Sequence, residues 1–235
     1  MEALIRGWQQ LQRMLLPWRC LLCGAAGGEG MDLCAGCAAE LPRNHRCCAR
    51  CALPLPLPAA LCGECLRRTP PWDAAWAPFR YLWPLDRLES RFKFSADLAA
   101  GRCLSTMWQG QPRPLAQPQL IVPVPLHRKR LRQRGYNQAL ELAKPLARAW
   151  NIPLRHDVLQ RQRATDAQTE LDARARRRTV RNAFAVRQGL PLPAHIVVLD
   201  DVMTTGATLA ECVRVLKRAG AGRVDVWVLA RAPRH

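Results

Sequence analysis

Asp200 and Asp201 stand side by side at the end of an apolar run, HIVVLDDVMTTGAT over 195–208, with Thr204, Thr205, Gly206, Ala207 and Thr208 close behind. In a chain of formal net charge +18, such a pair asks for a chemical role. Three threonine hydroxyls and successive backbone N–H groups at the start of a helix make an anion cradle suited to a phosphate monoester. Gly206 permits the close backbone approach a bound phosphate needs. The carboxylates would repel that phosphate, but they can accept hydrogen bonds from vicinal hydroxyls or help hold a divalent cation. Cradle and diol acceptors together fit a sugar phosphate, and a ribose 5-phosphate unit is one that fits. The plainer alternative is a helix N-terminus with threonine caps and no ligand.

A second chemistry lies in the cysteines. Nine of the eleven fall between residues 20 and 65, as CLLCGAAGGEGMDLCAGC (20–37) and CARCALPLPLPAALCGEC (48–65), preceded by Cys47. Both copies follow C-x2-C-x10-C-x2-C, displaced by 28 residues. Each C-x2-C turn points two thiolates at one ion, and two turns complete a tetrahedral zinc site. Cys20, Cys23, Cys34 and Cys37 are assigned to one zinc ion, and Cys48, Cys51, Cys62 and Cys65 to the other. A cross-braced exchange of pairs stays open, and redox C-x2-C chemistry is the rival. With all four positions on each ion taken, the sites are structural, and zinc supplies folding free energy that so small a segment lacks. Gly24, Gly36 and Gly63 are expected in turns with unusual backbone angles. Cys47 is a spare neighbour, and Cys103 and Cys212 sit in helical patterns as core residues.

The elements that must position these groups follow from periodicity. AWAPFRYLW reads as an edge strand, because a proline sits near its middle. ADLAAGRCLSTMW reads as a helix, LIVPVP (120–125) as a short strand, then a basic loop and a helix around NQALELAKPLARAW that Pro145 should kink or split. HIVVLDD and VDVWVLAR are further buried strands, joined by a helix that stops at Gly220 or Gly222. Strands alternating with helices predict a mainly parallel sheet, with ligands at the carboxyl ends of its strands. That places Asp200 and Asp201 at a ligand site. The chain divides into a short amphipathic helix (1–19), the cysteine module (20–70) and an α/β domain (71–235), with Pro70 and Pro71 as a linker or an extended entry. The N-terminus lacks the apolar core and cleavage site of a signal peptide, and the longest apolar runs are of strand length, so a cytoplasmic chain is expected.

Residues 197–208 resemble the phosphoribosyl pyrophosphate (PRPP) motif of type I phosphoribosyltransferases. VPVPLHRKRLRQRGYNQA (122–139) and RQRATDAQTELDARARRRTVRNAF (161–184) resemble two other signatures of the ComF/GntX family. These are phosphoribosyltransferase-like proteins, associated in some bacteria with DNA uptake, that usually carry a paired C-x2-C zinc module at the N-terminus. The resemblance implies a type I phosphoribosyltransferase fold behind a zinc-ribbon module. It implies that Asp200 and Asp201 hold the ribose 2- and 3-hydroxyls and that Thr204 to Thr208 hold the 5-phosphate, with magnesium accompanying PRPP. Leu126, His127 and Arg128 would form the tip of the pyrophosphate loop, and Arg161, Arg163, Thr165 and Gln168 would act on a mobile flap. His127 is either a general base or a turn residue satisfied locally. The family pattern usually has asparagine and glycine where this chain has Thr179 and Asn182.

Between Leu126 and Arg181 there are 15 Lys/Arg and 5 Asp/Glu, so more than half of the net charge of +18 lies there. A pyrophosphate needs only a few cations, and the surplus fits a longer polyanion such as single-stranded DNA. Trp72, Trp76, Trp83, Trp108 and Trp150 could stack on bases, but tryptophans at such spacings more often pack a core. Two functions of different class follow. One is a PRPP-binding protein of natural transformation, whose zinc module is a hood over the site or a docking face for a DNA-uptake helicase. The other is an active transferase passing ribose 5-phosphate to a nitrogenous acceptor.

Overall fold

In a computed structural model the protein is described over residues 17–163 and 180–233. Its spine is two nine-residue strands, β6 (His195–Met203) and β7 (Arg223–Arg231), Val-rich and buried on both faces as a central parallel pair must be. They pair in parallel with Val198 opposite Val226. On one side β3 (Leu120–Pro123) joins β6, with Val122 opposite Val198. On the other side β1 (Ala75–Trp76) and β2 (Phe79–Arg80) both run parallel to β7. The expected edge strand is therefore real, and Pro78, which has no N–H to give, interrupts it. A separate antiparallel pair, β4 (Leu159–Arg161) with β5 (Phe184–Val186), sets Arg161 opposite Phe184.

Helices cover both faces. The helix α7 (Ala207–Arg218) packs Leu209, Cys212, Val213 and Leu216 against Ile196, Val198, Val224 and Val226. The opposite face holds α3 (Leu85–Phe94), α4 (Leu98–Gln109) and α6 (Gln138–Trp150) against Ile121, Val197, Leu199 and Leu229. Residues 197 to 199 thus alternate between two cores, as the two-residue period of a strand requires. Two helices have left-handed C-caps, at Gly135 and Asn151, and Gly220, at φ +100°, follows the last residues of α7 as expected.

Three expectations change. The helix through Pro145 is neither split nor ended there: α6 runs unbroken from Gln138 to Trp150. Its buried face of Leu142, Ala143, Leu146 and Ala147 outweighs the one hydrogen bond that proline removes. The basic stretch after β3 is a short helix, α5 (Arg128–Arg134), capped by Gly135 at φ +80°. Finally, Gly24 has the unusual backbone angle (φ +78°), but Gly36 and Gly63 lie in the short helices α1 (Ala35–Ala39) and α2 (Gly63–Arg67).

The cysteine segment is knitted into the sheet edge. Arg43 bridges to Phe79, Arg80 N–H donates to the Pro42 carbonyl at 2.7 Å, and Asn44 N–H to that of Pro78 at 2.8 Å. Around this edge the two cysteine sets part. Cys20 and Leu33 join the core of α3, α4 and α6, whereas Cys48, Cys51, Cys62 and Cys65 join the core under α7. Pro70 and Pro71 lead into Trp72, which lies in that second core at 4% exposure. Trp76, Trp108, Trp150 and Trp227 cluster at centroid separations of 5.4–5.8 Å, so packing accounts for Trp76, Trp108, Trp150 and the buried Trp72, four of the five candidate stacking residues. Trp83 is exposed. The N-terminal helix expected over 1–19 falls mostly outside the described residues, as do Thr165, Gln168 and Thr179. Among the described residues no helix is long and apolar enough to cross a membrane.

Candidate functional site

Parallel strands put all their carboxyl ends on one edge, and there the chemistry converges. Asp200 and Asp201 lie on the last third of β6 and, by strand alternation, turn toward opposite sheet faces. Asp201 faces α3, where Lys93 Nζ sits 3.2 Å from its Oδ2 and 3.0 Å from Glu89 Oε1. The Tyr81 hydroxyl donates to Glu89 Oε2 at 3.2 Å. Asp201 Oδ1 accepts from Val202 N–H at 2.6 Å, and Asp200 Oδ1 from Asp201 N–H at 3.0 Å. These contacts divide the pair electrostatically. Burial and the neighbouring Asp201 charge push the Asp200 carboxyl well up. Burial also acts on Asp201, but Lys93 and the Val202 N–H hold it below its ordinary value.

On the other face Asp200 shares its surroundings with Cys212 and Arg161. Burial and the charge of Arg130 lower the Arg161 guanidinium, while Asp200 opposes them. Arg161 also lies over the Phe184 ring at 5.4 Å. Arg161, Arg130 of the basic helix α5 and Asp200 therefore share one electrostatic neighbourhood. Arg128 and Arg163 are exposed, and Leu126 is half-buried. His127 caps α5, its Nδ1 accepting from Lys129 N–H at 3.2 Å, which is the locally satisfied arrangement. The far end of that loop returns to β3 through Asn137 Nδ2, 3.0 Å from the Val124 carbonyl, and to α3 through a Tyr136 hydroxyl bond to the Phe92 carbonyl. Asn182, where the family pattern has glycine, adopts φ +55°, a conformation asparagine tolerates better than most residues. Its N–H donates to buried Glu211 of α7 at 2.9 Å.

The threonine turn opens α7 as expected. Gly206 is its N-cap at φ +72°, and Thr205 Oγ1 accepts from Ala207 N–H at 3.3 Å. The first-turn N–H groups of a helix have no intrahelical acceptor and face outward. Thr204 is exposed, and Thr205, Ala207 and Thr208 are half-buried. What the sequence did not announce is the roof. A Cβ on Gly206 would come within 2.9 Å of the Trp72 ring. Beside the turn opens a cavity of about 740 Å³, walled by the second cysteine cluster, Thr69 to Trp72, Val180 to Asn182 and the α7 face from Ala207 to Arg218. Buried Arg231 completes it, donating from Nη1 to the Met203 carbonyl at 2.7 Å and from Nε to that of Cys51 at 3.2 Å.

Both cysteine sets gather as assigned, the four sulfurs of each within 4.8 Å of one another. Cys23 and Cys34 Sγ are 3.7 Å apart, as are Cys51 and Cys62. A thiolate tetrahedron about 2.3 Å from zinc has edges of about 3.8 Å, so the donor sets fit that ion. In each set one thiol is predisposed to ionise. Burial opposes it, but backbone N–H groups draw Cys20 down to about 6 and Cys48 to about 7. Cys103 and Cys212 are buried core residues.

Sequence reasoning missed Lys93, Glu89, Tyr81 and Arg231. One signal existed: in LDRLESRFKF, Glu89 occupies the apolar stripe of Leu85, Leu88 and Phe92. Arg231 carried none beyond its place at a strand end.

A small paired-cysteine module joined to a parallel sheet with a strand–acid pair–turn–helix site defines a class: a double zinc ribbon followed by a phosphoribosyltransferase domain. Residues 11–73 match the double zinc ribbon domain and residues 137–235 the phosphoribosyl transferase domain. The chain is 36% identical over 223 residues to the DNA utilization protein YhgH of Escherichia coli K12, covering 90% of this chain and 89% of that protein. It is 34% identical over 225 residues to competence protein F of Haemophilus influenzae, covering 92% and 97%. Competence protein ComFC of Streptococcus pneumoniae is 27% identical over 157 residues, covering 66% and 67%. The chain belongs to the ComF/YhgH family, phosphoribosyltransferase-like proteins associated with competence and DNA utilization. A solved allosteric regulatory enzyme of purine biosynthesis aligns at TM-score 0.35 and 21% identity, over 55% of this chain and 24% of that one.

Proposed function

We propose that this protein binds PRPP with magnesium at the carboxyl end of β6 and works on single-stranded DNA during DNA uptake in the cytoplasm. The observation that supports the reading best is the β6–α7 junction, where an acidic pair in two electrostatic states adjoins an outward-facing helix N-terminus. Asp200 and Asp201 would accept from the ribose hydroxyls, and the turn from Thr204 to Thr208 would hold the 5-phosphate. Leu126, His127 and Arg128, with the flap residues Arg161, Arg163, Thr165 and Gln168, would address the pyrophosphate. The carboxylates also supply the hard oxygen donors that suit magnesium. Two zinc ions would hold a module of residues 20–70 against a phosphoribosyltransferase-like domain of 71–235. The names of the relatives, competence protein F and DNA utilization protein, point to DNA as the wider context. The exposed cations of α5 offer it a surface, and the zinc module is a candidate docking face for an uptake helicase.

Calorimetric titration of the zinc-loaded protein with PRPP and Mg²⁺ tests the site. Binding that vanishes in a folded Asp200→Ala/Asp201→Ala variant supports it, and no uptake by the folded wild type sinks it. A second reading, transfer of ribose 5-phosphate to a nitrogenous acceptor unrelated to DNA, draws on the cavity beside the turn. At about 740 Å³ it is large enough for an acceptor base. Stabilising the leaving pyrophosphate would then supply much of the catalysis. Pyrophosphate release measured across a panel of nitrogen heterocycles distinguishes the two.

A further inference from the structure

Arg231 ends β7 with 1% of its surface exposed. Its guanidinium donates to four backbone carbonyls: Cys51 at 3.2 Å, Met203 at 2.7 Å, Ala232 at 2.9 Å, and Thr204. Among the described residues no carboxylate pairs with it, yet a guanidinium stays charged in proteins and is costly to bury without a counter-charge. The countercharge lies in the second cysteine set. Arg231 Nε bonds the Cys51 carbonyl, and Arg231 lines one cavity with Cys51, Cys62 and Cys65. Four thiolates on one divalent ion leave a formal charge of about −2. The same arginine holds the carbonyls of Met203 and Thr204, the two residues that lead into the phosphate turn. A second strut runs in parallel. Trp72 Nε1 donates to the Arg50 carbonyl, next to Cys51, at 2.8 Å, while its ring closes over Gly206. The first cysteine set has no such path; it sits across the sheet, against α3 and α4.

We propose that Arg231 is the counter-cation of the second zinc centre and the clamp on the phosphate turn, so that zinc held there and a phosphate ester held by the turn strengthen one another. The coupling rests on the reading of Thr204 to Thr208 as a phosphate site; the counter-cation role does not. Linkage makes the effect reciprocal: whatever factor zinc adds to phosphate affinity, the phosphate adds to zinc affinity.

The experiment is zinc release from the whole protein into a chromogenic chelator, with ribose 5-phosphate as the probe because it needs no magnesium. Saturating ribose 5-phosphate should slow one of the two zinc phases about five- to tenfold. The slowed phase should persist in Cys23→Ser, which impairs the first centre. Arg231→Met should release the same ion about tenfold faster without ligand and erase the ribose 5-phosphate effect. Arg231→Lys, which keeps the charge but not the fork, should retain slow release and lose the ligand effect. Hydrogen exchange at residues 204–208 should quicken in either variant while the β6 interior stays protected. If ribose 5-phosphate binds by calorimetry and both zinc phases are unchanged, the coupling is overturned. Should it not bind at all, the phosphate reading fails. Zinc release and exchange in the Arg231 variants then decide the rest: wild-type values in folded variants overturn the proposal.

Discussion

Lys93 holds two carboxyls, Asp201 at 3.2 Å and Glu89 at 3.0 Å, and the two respond oppositely to pH. Burial and then the Asp201 charge push Glu89 from 4.5 up to about 7. A carboxyl whose folded value is raised contributes stability that is complete below its unfolded value and lost as pH rises through the folded one. Asp201 is lowered, so its contribution is lost only as pH falls in the acid range. Glu89→Gln is therefore expected to flatten the decline of stability between about pH 4.5 and 7, by at most about 3 kcal/mol; urea titrations at the two ends of that window measure it. Gly206 makes a different case. Alanine there meets both a left-handed backbone, worth about 1–2 kcal/mol, and the Trp72 ring at 2.9 Å. Gly189 has nearly the same φ, +74°, but nothing within 4 Å. Gly206→Ala should lower the thermal midpoint clearly more than Gly189→Ala and should alone weaken ribose 5-phosphate binding; calorimetry of both variants gives the comparison.

Among the elements, α6 carries a proline its sequence does not need for the site. Pro145 removes one backbone bond and crowds the preceding turn, while the apolar face around it stays packed. Pro145→Ala should therefore stabilise the protein, by up to about 3 kcal/mol, with PRPP affinity unchanged; a fall in the thermal midpoint would show that the proline ring itself is required. The helix α3 has the opposite character, because three other segments depend on it: β6 through Lys93, Tyr136 after α5 through Phe92, and Tyr81 after β2 through Glu89. The helix was not legible as part of the site. Its Glu89–Lys93 pair has the ordinary i,i+4 spacing of a solvated ion pair; the place of Glu89 in the apolar stripe hinted otherwise, and its burial at 1% exposure shows it. The two short cysteine helices depend on metal instead. Chelation should unfold the segment 20–65 first, seen as loss of its exchange protection.

For the whole molecule, the ribbons grip the β1/β2 edge from both sides and leave the β3 side and α5 to the basic surface. Single-stranded DNA held there should bind with strong salt dependence. Replacing the exposed Arg128, Lys129 and Arg132 by glutamine should reduce the slope of log K against log salt by about 2, measured by anisotropy of a labelled oligonucleotide. An unchanged slope would move the strand elsewhere.

Two things were determined by the sequence alone. The metal sets followed from cysteine spacing, because a C-x2-C turn is local and repeats. The β6–turn–α7 junction followed as well, since strand period, acid pair and helix start lie within one continuous segment. Tertiary structure alone decided what surrounds that junction. Lys93, Trp72 and Arg231 come from distant parts of the chain: Lys93 reaches Asp201 from a helix, Trp72 covers Gly206, and Arg231 stands opposite Met203 because parallel strands bring their carboxyl ends to one edge. No pattern within a short window encodes that meeting; it is fixed by how the strands are ordered and which faces they bury.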